Sequence, residues 1–302
     1  MRARELGLLV ALGAIWGMSY VFIRIASPAI GPAVLMELRF AITASIFAVY
    51  LAALGLLKPS GHDLRARWKE YALMGVISGA IPTTLIGVAE LEITASVASI
   101  LNALVPFFAL AGARLWLKEP WRARTGVGLV LGFGGVLLVV GGGSFPLNSL
   151  TLVGCALSIV AAASYGVGSV YTSRSFRETP RLQLAFGLSV VSALVLLPVA
   201  GVTAPAPTIG PEVVYSIVGL AILSTTIAYL IFYHLIRTIG PTQATTVTFL
   251  IPVFGVVGGH FLLAEPLGPG LVLGLAVILV GLALVTGIGA RKPDQPRLEA
   301  AA

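Results

Sequence analysis

The 302-residue chain alternates long apolar runs with short clusters of charge. A helix needs about 20 predominantly apolar residues to cross a bilayer. Reading the runs between charge clusters and Pro/Gly turns predicts ten such helices, near 5–26, 32–56, 70–89, 94–117, 123–142, 149–173, 180–201, 212–234, 242–264 and 269–289. No connecting segment is long enough for a separate domain. The stretch 58–69 (KPSGHDLRARWK) and the tail 291–302 are the polar segments of note, and the tail reads as disordered. The first run follows Arg2 and Arg4 as a secretory leader would. It continues to about Ile25 without a small-residue cleavage site, and nine runs follow it, so it reads as a span.

The pattern also repeats. Shifted by 146 residues, 96–139 lies over 242–285. Pro106 then meets Pro252, Gly112 meets Gly258, and Glu119-Pro120 meets Glu265-Pro266. A shift of 144 brings Tyr71 over Tyr215 and Gly75 over Gly219, and Trp16-Gly17 resembles Tyr165-Gly166. Gly and Leu matches come cheaply in so apolar a chain; Pro and Glu-Pro pairs at one unbroken offset do not. Each half holds five spans, an odd number, so equivalent spans cross in opposite directions. The expected fold is all-α and membrane-embedded: ten transmembrane helices in two inverted five-helix repeats around a central cavity. The expected division is 1–142, 143–290 and the tail 291–302.

Composition agrees. Of the residues 58% are hydrophobic and 10% charged, against about 25% charged in soluble domains. The 35 glycines suit helices that approach closely in lipid. The net charge of +7 is not a nucleic-acid footprint, because the cations sit in short clusters between apolar runs. With the N-terminus inside, all of the 19 Lys and Arg except Arg24 and Arg39 fall in inner segments, while Glu90, Glu92, Glu212 and Glu265 fall in outer ones. The asymmetry predicts that both termini are cytoplasmic. The single cysteine, Cys155, lies in an apolar run, so no disulfide framework or cysteine metal site is expected.

Several of these segments carry a family resemblance. The run GPTQATTVTFLIPVFGVVGGHFLLAEPLGPGLVLGLAVILVGLALV, the segment AIWGMSYVFIR and the pair Arg39-Phe40 resemble EamA-type members of the drug/metabolite transporter superfamily. The resemblance covers the whole chain as two tandem repeats, and an amino-acid exporter of the YddG kind is the closer match. It implies a bacterial cytoplasmic-membrane secondary transporter that exports amino acids or similar small metabolites. It also implies a cavity lined by the first, third, fourth, sixth, eighth and ninth spans. Nucleosides, sugars or drugs are the alternative cargo, and an intramembrane enzyme the remote one. The expected partners are the bilayer and a small-molecule solute, in a monomer or homodimer, without nucleic acid.

The residues supply candidates for the cavity. Ser99, Asn102 and Pro106 share one helix face, and their repeat mates Thr245, Thr248 and Pro252 share the equivalent face. A proline inside a span frees a backbone carbonyl, which in lipid must find protein or water. Helix packing, with hydroxyls bonded back to their own helix, is the alternative reading. The third span holds Ser78, Pro82, Thr83 and Thr84; the eighth holds Ser224, Thr225, Thr226 and Tyr229. Trp16 and Tyr165 lie too deep for an interfacial belt, which leaves pocket lining or core packing. Glu37 and Arg39 lie in the second span and do not face the same way; they read as interface or pairing residues, or as an outer gate. His260 reads as a packing or interface residue. Apart from the off-centre Glu37, no carboxylate lies deep in a span, so no proton site is expected. There is no Walker, HExxH or GxSxG motif, and neither a cofactor nor an enzymatic activity is expected.

Overall fold

The computed structural model describes residues 3–56, 64–117, 123–142, 148–203, 209–239 and 244–286. These form ten helical stretches. They are α1 (Ala3–Ile30), α2 (Pro32–Ala53), α3 (Trp68–Ala89), α4 (Ala95–Asn102, then Val105–Leu117) and α5 (Ala123–Gly141). The second set is α6 (Ser149–Ser175), α7 (Arg181–Thr203), α8 (Pro211–Ile239), α9 (Thr245–Leu263) and α10 (Pro269–Thr286). Among the described residues, 8 helices are long and apolar enough to cross a membrane; Gly126–Gly141 and Pro269–Val285, in α5 and α10, are shorter apolar helices. Glu119-Pro120 and the tail 291–302 lie outside the described residues.

Helix ends follow local chemistry. Gly31, at φ 84, ends α1 and lets Pro32 open α2. The Asn148 side chain accepts from the Thr151 amide at 2.9 Å, and Thr151 Oγ1 accepts from the Asn148 amide at 3.0 Å, a reciprocal cap on α6. α1 and α8 run past their expected ends, to Ile30 and Ile239.

The helices pack in symmetric pairs. α1 lies against α9, and its counterpart α6 lies against α4. α3 packs on α6 as α8 packs on α1, while α2 meets α7 and α5 meets α10. At the α1–α9 and α6–α4 crossings the contacts match residue by residue. A methyl on Gly17 would lie 2.6 Å from Phe254 Cβ, and one on Gly166 would lie 2.6 Å from Phe108 Cβ. Both glycines let a neighbouring backbone approach to where a side chain would collide. α5 and α10 run antiparallel, Gly128 lying against Gly281 and Gly135 against Gly274. The large apolar side chains left exposed, such as Val130, Leu137, Leu194 and Phe261, make the outer surface greasy, as lipid contact requires.

Each half is irregular at equivalent places. A π turn occupies Val76–Ala80 in α3 and Gly219–Ile227 in α8. Hydroxyls serve the carbonyls there. Ser192 Oγ donates to Gly75 O at 3.0 Å and Ser164 Oγ to Ile77 O at 2.7 Å. In α8 the helix's own threonines do this: Thr225 Oγ1 donates to Leu220 O at 2.7 Å and Thr226 Oγ1 to Ala221 O at 2.9 Å. Such bulges often mark functional positions. α4 breaks at Ala103–Leu104 ahead of Pro106, and Thr245–Phe249 is 3-10 ahead of Pro252. In both, the proline removes the amide that would reach residue 102 or 248.

Candidate functional site

The polar and aromatic candidates converge where α1, α2, α4, α6 and α8 meet. The organising group is Arg39. Its Nε donates to Thr225 Oγ1 at 2.8 Å, in the π turn of α8. The guanidinium therefore points into the bundle and does not extend along α2 to the interface. Its charge acts on the hydroxyls of Tyr20, Tyr165 and Tyr229, from α1, α6 and α8. No Asp or Glu among the described residues pairs with it; the one ion pair there is Arg67 with Glu70 at 3.5 Å. Glu37, two residues away, is half-buried elsewhere on α2.

Around this centre, the Asn102 amide meets the Tyr20 hydroxyl, and Asn102 Oδ1 is left without a protein partner. Trp16 Nε1 donates to Ser224 O at 3.2 Å, and its ring tilts against Phe232 with centroids 5.3 Å apart. Tyr229 stacks on Tyr233 at 5.9 Å. Trp16, Tyr165 and Tyr229 remain half-buried. They bring ring faces and hydroxyls from both halves to one place.

The other candidates lie outside this centre, at helix crossings or in contacts within their own helices. Ser99 is fully buried against Gly255, and its hydroxyl donates to Ser96 O at 2.8 Å. Ser78 sits on Gly168, its hydroxyl without a hydrogen-bond partner. Pro82 is buried beside Thr83, which donates to Gly79 O at 2.7 Å. Thr226 is turned to Ala221 O, and Thr248 Oγ1 donates to Thr245 O at 2.9 Å. Thr245 is exposed, Pro106 half-buried and Pro252 buried.

A second polar cluster closes one end of the bundle. Glu90 and Glu265, read above as loop residues, are both buried. The Glu265 carboxylate accepts from the Ala95 amide at 2.8 Å, the Ser96 amide at 2.9 Å and Ser96 Oγ at 2.5 Å, so it caps α4 from the far end of α9. Ala264, at φ 54, turns the chain to place it, and Glu265 N donates to Gly259 O at 3.0 Å. His260 Nδ1 lies 2.9 Å from Glu265 O, in a packing position. Glu90 is 0% exposed and neither carboxyl oxygen has a hydrogen-bond partner. Arg24 donates to the Glu90 backbone carbonyl instead. Burial, and then the nearby Glu265 carboxylate, push the Glu90 carboxyl well above the usual carboxylate range, against the weaker pull of Arg24.

Two features were not legible along the chain. Tyr20 lies in an apolar run, and only the packing of α1 on α4 brings it to Asn102. The Glu90 and Glu265 carboxyls sit in short turns that look solvent-facing until α4 and α9 close over them. Glu-Pro repeating as Glu119-Pro120 and Glu265-Pro266 was the available signal for the second. Among the described residues no group of His, Cys, Asp or Glu is arranged to hold a metal ion.

Comparison with known proteins places this architecture. The EamA-like transporter family pattern matches residues 4–141 and again 152–287. The Escherichia coli K12 protein named "Uncharacterized inner membrane transporter YedA" is 30% identical over 294 residues, covering 95% of this chain and 93% of the relative. A Salmonella typhimurium protein named "Probable amino-acid metabolite efflux pump" is 26% identical, covering 92% of each chain. A solved crystal structure with 18% sequence identity superposes with a TM-score of 0.65 over 95% of this chain and 97% of that one, a likeness of fold. With both halves matched, and a relative similar along nearly its whole length, the chain belongs to the EamA-like transporter family.

Proposed function

We propose that the chain exports amino acids or similar small metabolites across the bacterial inner membrane by alternating access between its two halves. The observation that carries this reading is the convergence of Trp16, Asn102, Tyr165, Tyr229 and Arg39, drawn from both repeats, on one half-buried cluster. Inverted-repeat transporters hold their solute near the bilayer midplane, at the junction of the repeats. Glycine-mediated contacts such as Gly17 on Phe254 and Gly166 on Phe108 let helices slide as smooth surfaces. In this reading α5 and α10 also cross the bilayer, giving ten spans with both termini cytoplasmic. Ser78, Pro82, Ser99, Pro106, Thr226, Thr245, Thr248 and Pro252 then support the walls, and Glu37 stands beside the gate. The printed name of the Salmonella relative favours amino-acid metabolites as cargo.

The experiment is efflux from proteoliposomes loaded with a panel of amino acids, nucleosides and sugars. Flux of unmodified amino acids is expected. Movement of a nucleoside or sugar in their place overturns the cargo, and chemical conversion without flux overturns the transporter reading.

A further inference from the structure

Among the described residues no carboxylate answers the charge of Arg39, whose neighbours are the Thr225 hydroxyl and, 5.7 Å away, the Phe40 ring. A guanidinium keeps its charge in any protein environment, and an unpaired charge away from water is costly. Inside membranes such groups pair with one another or with backbone carbonyls, or mark a substrate or ion pathway. The Nε edge is occupied by Thr225 at 2.8 Å, and Nη1 has only the Met36 sulfur at 4.0 Å. Nη2 has no hydrogen-bond partner among the described residues, so the edge carrying Nη1 and Nη2 presents two parallel donors. That fork matches a carboxylate. Its charge also acts on three tyrosine hydroxyls, from α1, α6 and α8.

We infer that Arg39 is the anion anchor of the solute site and that the cargo carries a carboxylate, which the terminal guanidinium nitrogens grip while Thr225 holds Nε. The inference rests on the reading of this cluster as the solute site. Arg39 is the one cation whose charge acts on Tyr20, Tyr165 and Tyr229, while Arg181 acts on Tyr233 behind Tyr229; one arginine at the cluster matches one negative charge, which favours a carboxylate over a phosphate dianion. Asn102 Oδ1, unpartnered, is an acceptor for the amine of an amino acid. Thr225 is a positioning residue: it fixes the guanidinium plane.

The test uses the full chain in proteoliposomes. One amino acid with an apolar side chain is compared with its amide and with the amine left after removal of the carboxyl group. The acid is expected to move about tenfold or more faster than either analogue, the size of losing one charge-assisted contact. Arg39→Gln should abolish that preference and Arg39→Lys should retain part of it. Equal flux of acid, amide and amine overturns the assignment. So does a folded Arg39→Gln variant with an unchanged preference. Should Arg39→Gln fail to fold, the analogue series on the unaltered chain decides alone. A carrier that moves a nucleoside, uninhibited by carboxylates, overturns the Arg39 role and leaves the transporter reading intact; no flux of any solute overturns both.

Discussion

Ser96 gives both its amide and its hydroxyl to the carboxylate of Glu265, 169 residues away, at 2.9 and 2.5 Å. A helix start leaves its first amides without partners, and an anion there is also favoured by the helix dipole. Usually the cap comes from the residue just before the helix. Here Thr94 satisfies the Val97 amide at 3.2 Å, and Glu265 takes the two preceding ones from across the structure.

Glu265→Ala should therefore destabilise the chain by about 2–3 kcal/mol, the cost of stranding donors that met a charged acceptor. Glu265→Gln should lose less, because one oxygen still accepts. Thermal unfolding of the purified protein in detergent reads both. A melting temperature unchanged in Glu265→Ala would remove the trans cap from the account.

Glu90 predicts a pH dependence. Its carboxyl is raised well above the usual range by burial and by Glu265. In the unfolded chain it titrates near 4.3, roughly the ordinary glutamate value. The folded state thus holds the proton more tightly. Stability is full below the unfolded value and declines as pH rises from there towards the folded one. The groups that bear on Glu90 are Arg24 and Tyr20 from α1 and Glu265 after α9. Glu90→Gln removes the titration, so its melting temperature should fall less between acid and alkaline pH than that of the unaltered chain. Parallel curves would argue against a buried, protonated Glu90.

The symmetric glycine contacts make a paired prediction. Alanine at Gly166 places a methyl 2.6 Å from Phe108 Cβ and 2.7 Å from the Ala109 amide. Overpacking of this kind costs about 1–3 kcal/mol, and Gly17→Ala should behave likewise against Phe254. At Gly134 nothing lies within 4 Å. Gly134→Ala should leave stability unchanged or raise it by up to about 1 kcal/mol, the helix-propensity difference. Melting temperatures of the three variants test the ordering.

Trp16→Ala removes an indole that bridges α1 to Ser224 and Phe232. Asn102→Ala removes the unpartnered acceptor beside Tyr20. Each should lower solute flux by about tenfold or more, the scale of one well-made polar or aromatic contact, while membrane insertion persists. Full flux in both variants would place the solute elsewhere.

The chain itself determined the class of fold, because a bilayer imposes one rule on every span: a long apolar helix with its backbone satisfied internally. Runs of the right length, charge confined to the turns and Pro106 matching Pro252 at one offset express that rule directly in sequence. Apolar runs carry little information about which face turns inward, since lipid and protein interior are equally greasy. The packing alone decided that Ser99 serves α9 and that Asn102, from the same face of α4, serves the cluster. It alone turned Arg39 from the interface to Thr225, and it buried Glu90 and Glu265 in turns that look exposed on paper. Those outcomes depend on contacts between residues far apart along the chain, from Arg24 with Glu90 at 66 positions to Arg39 with Thr225 at 186, which no local pattern records.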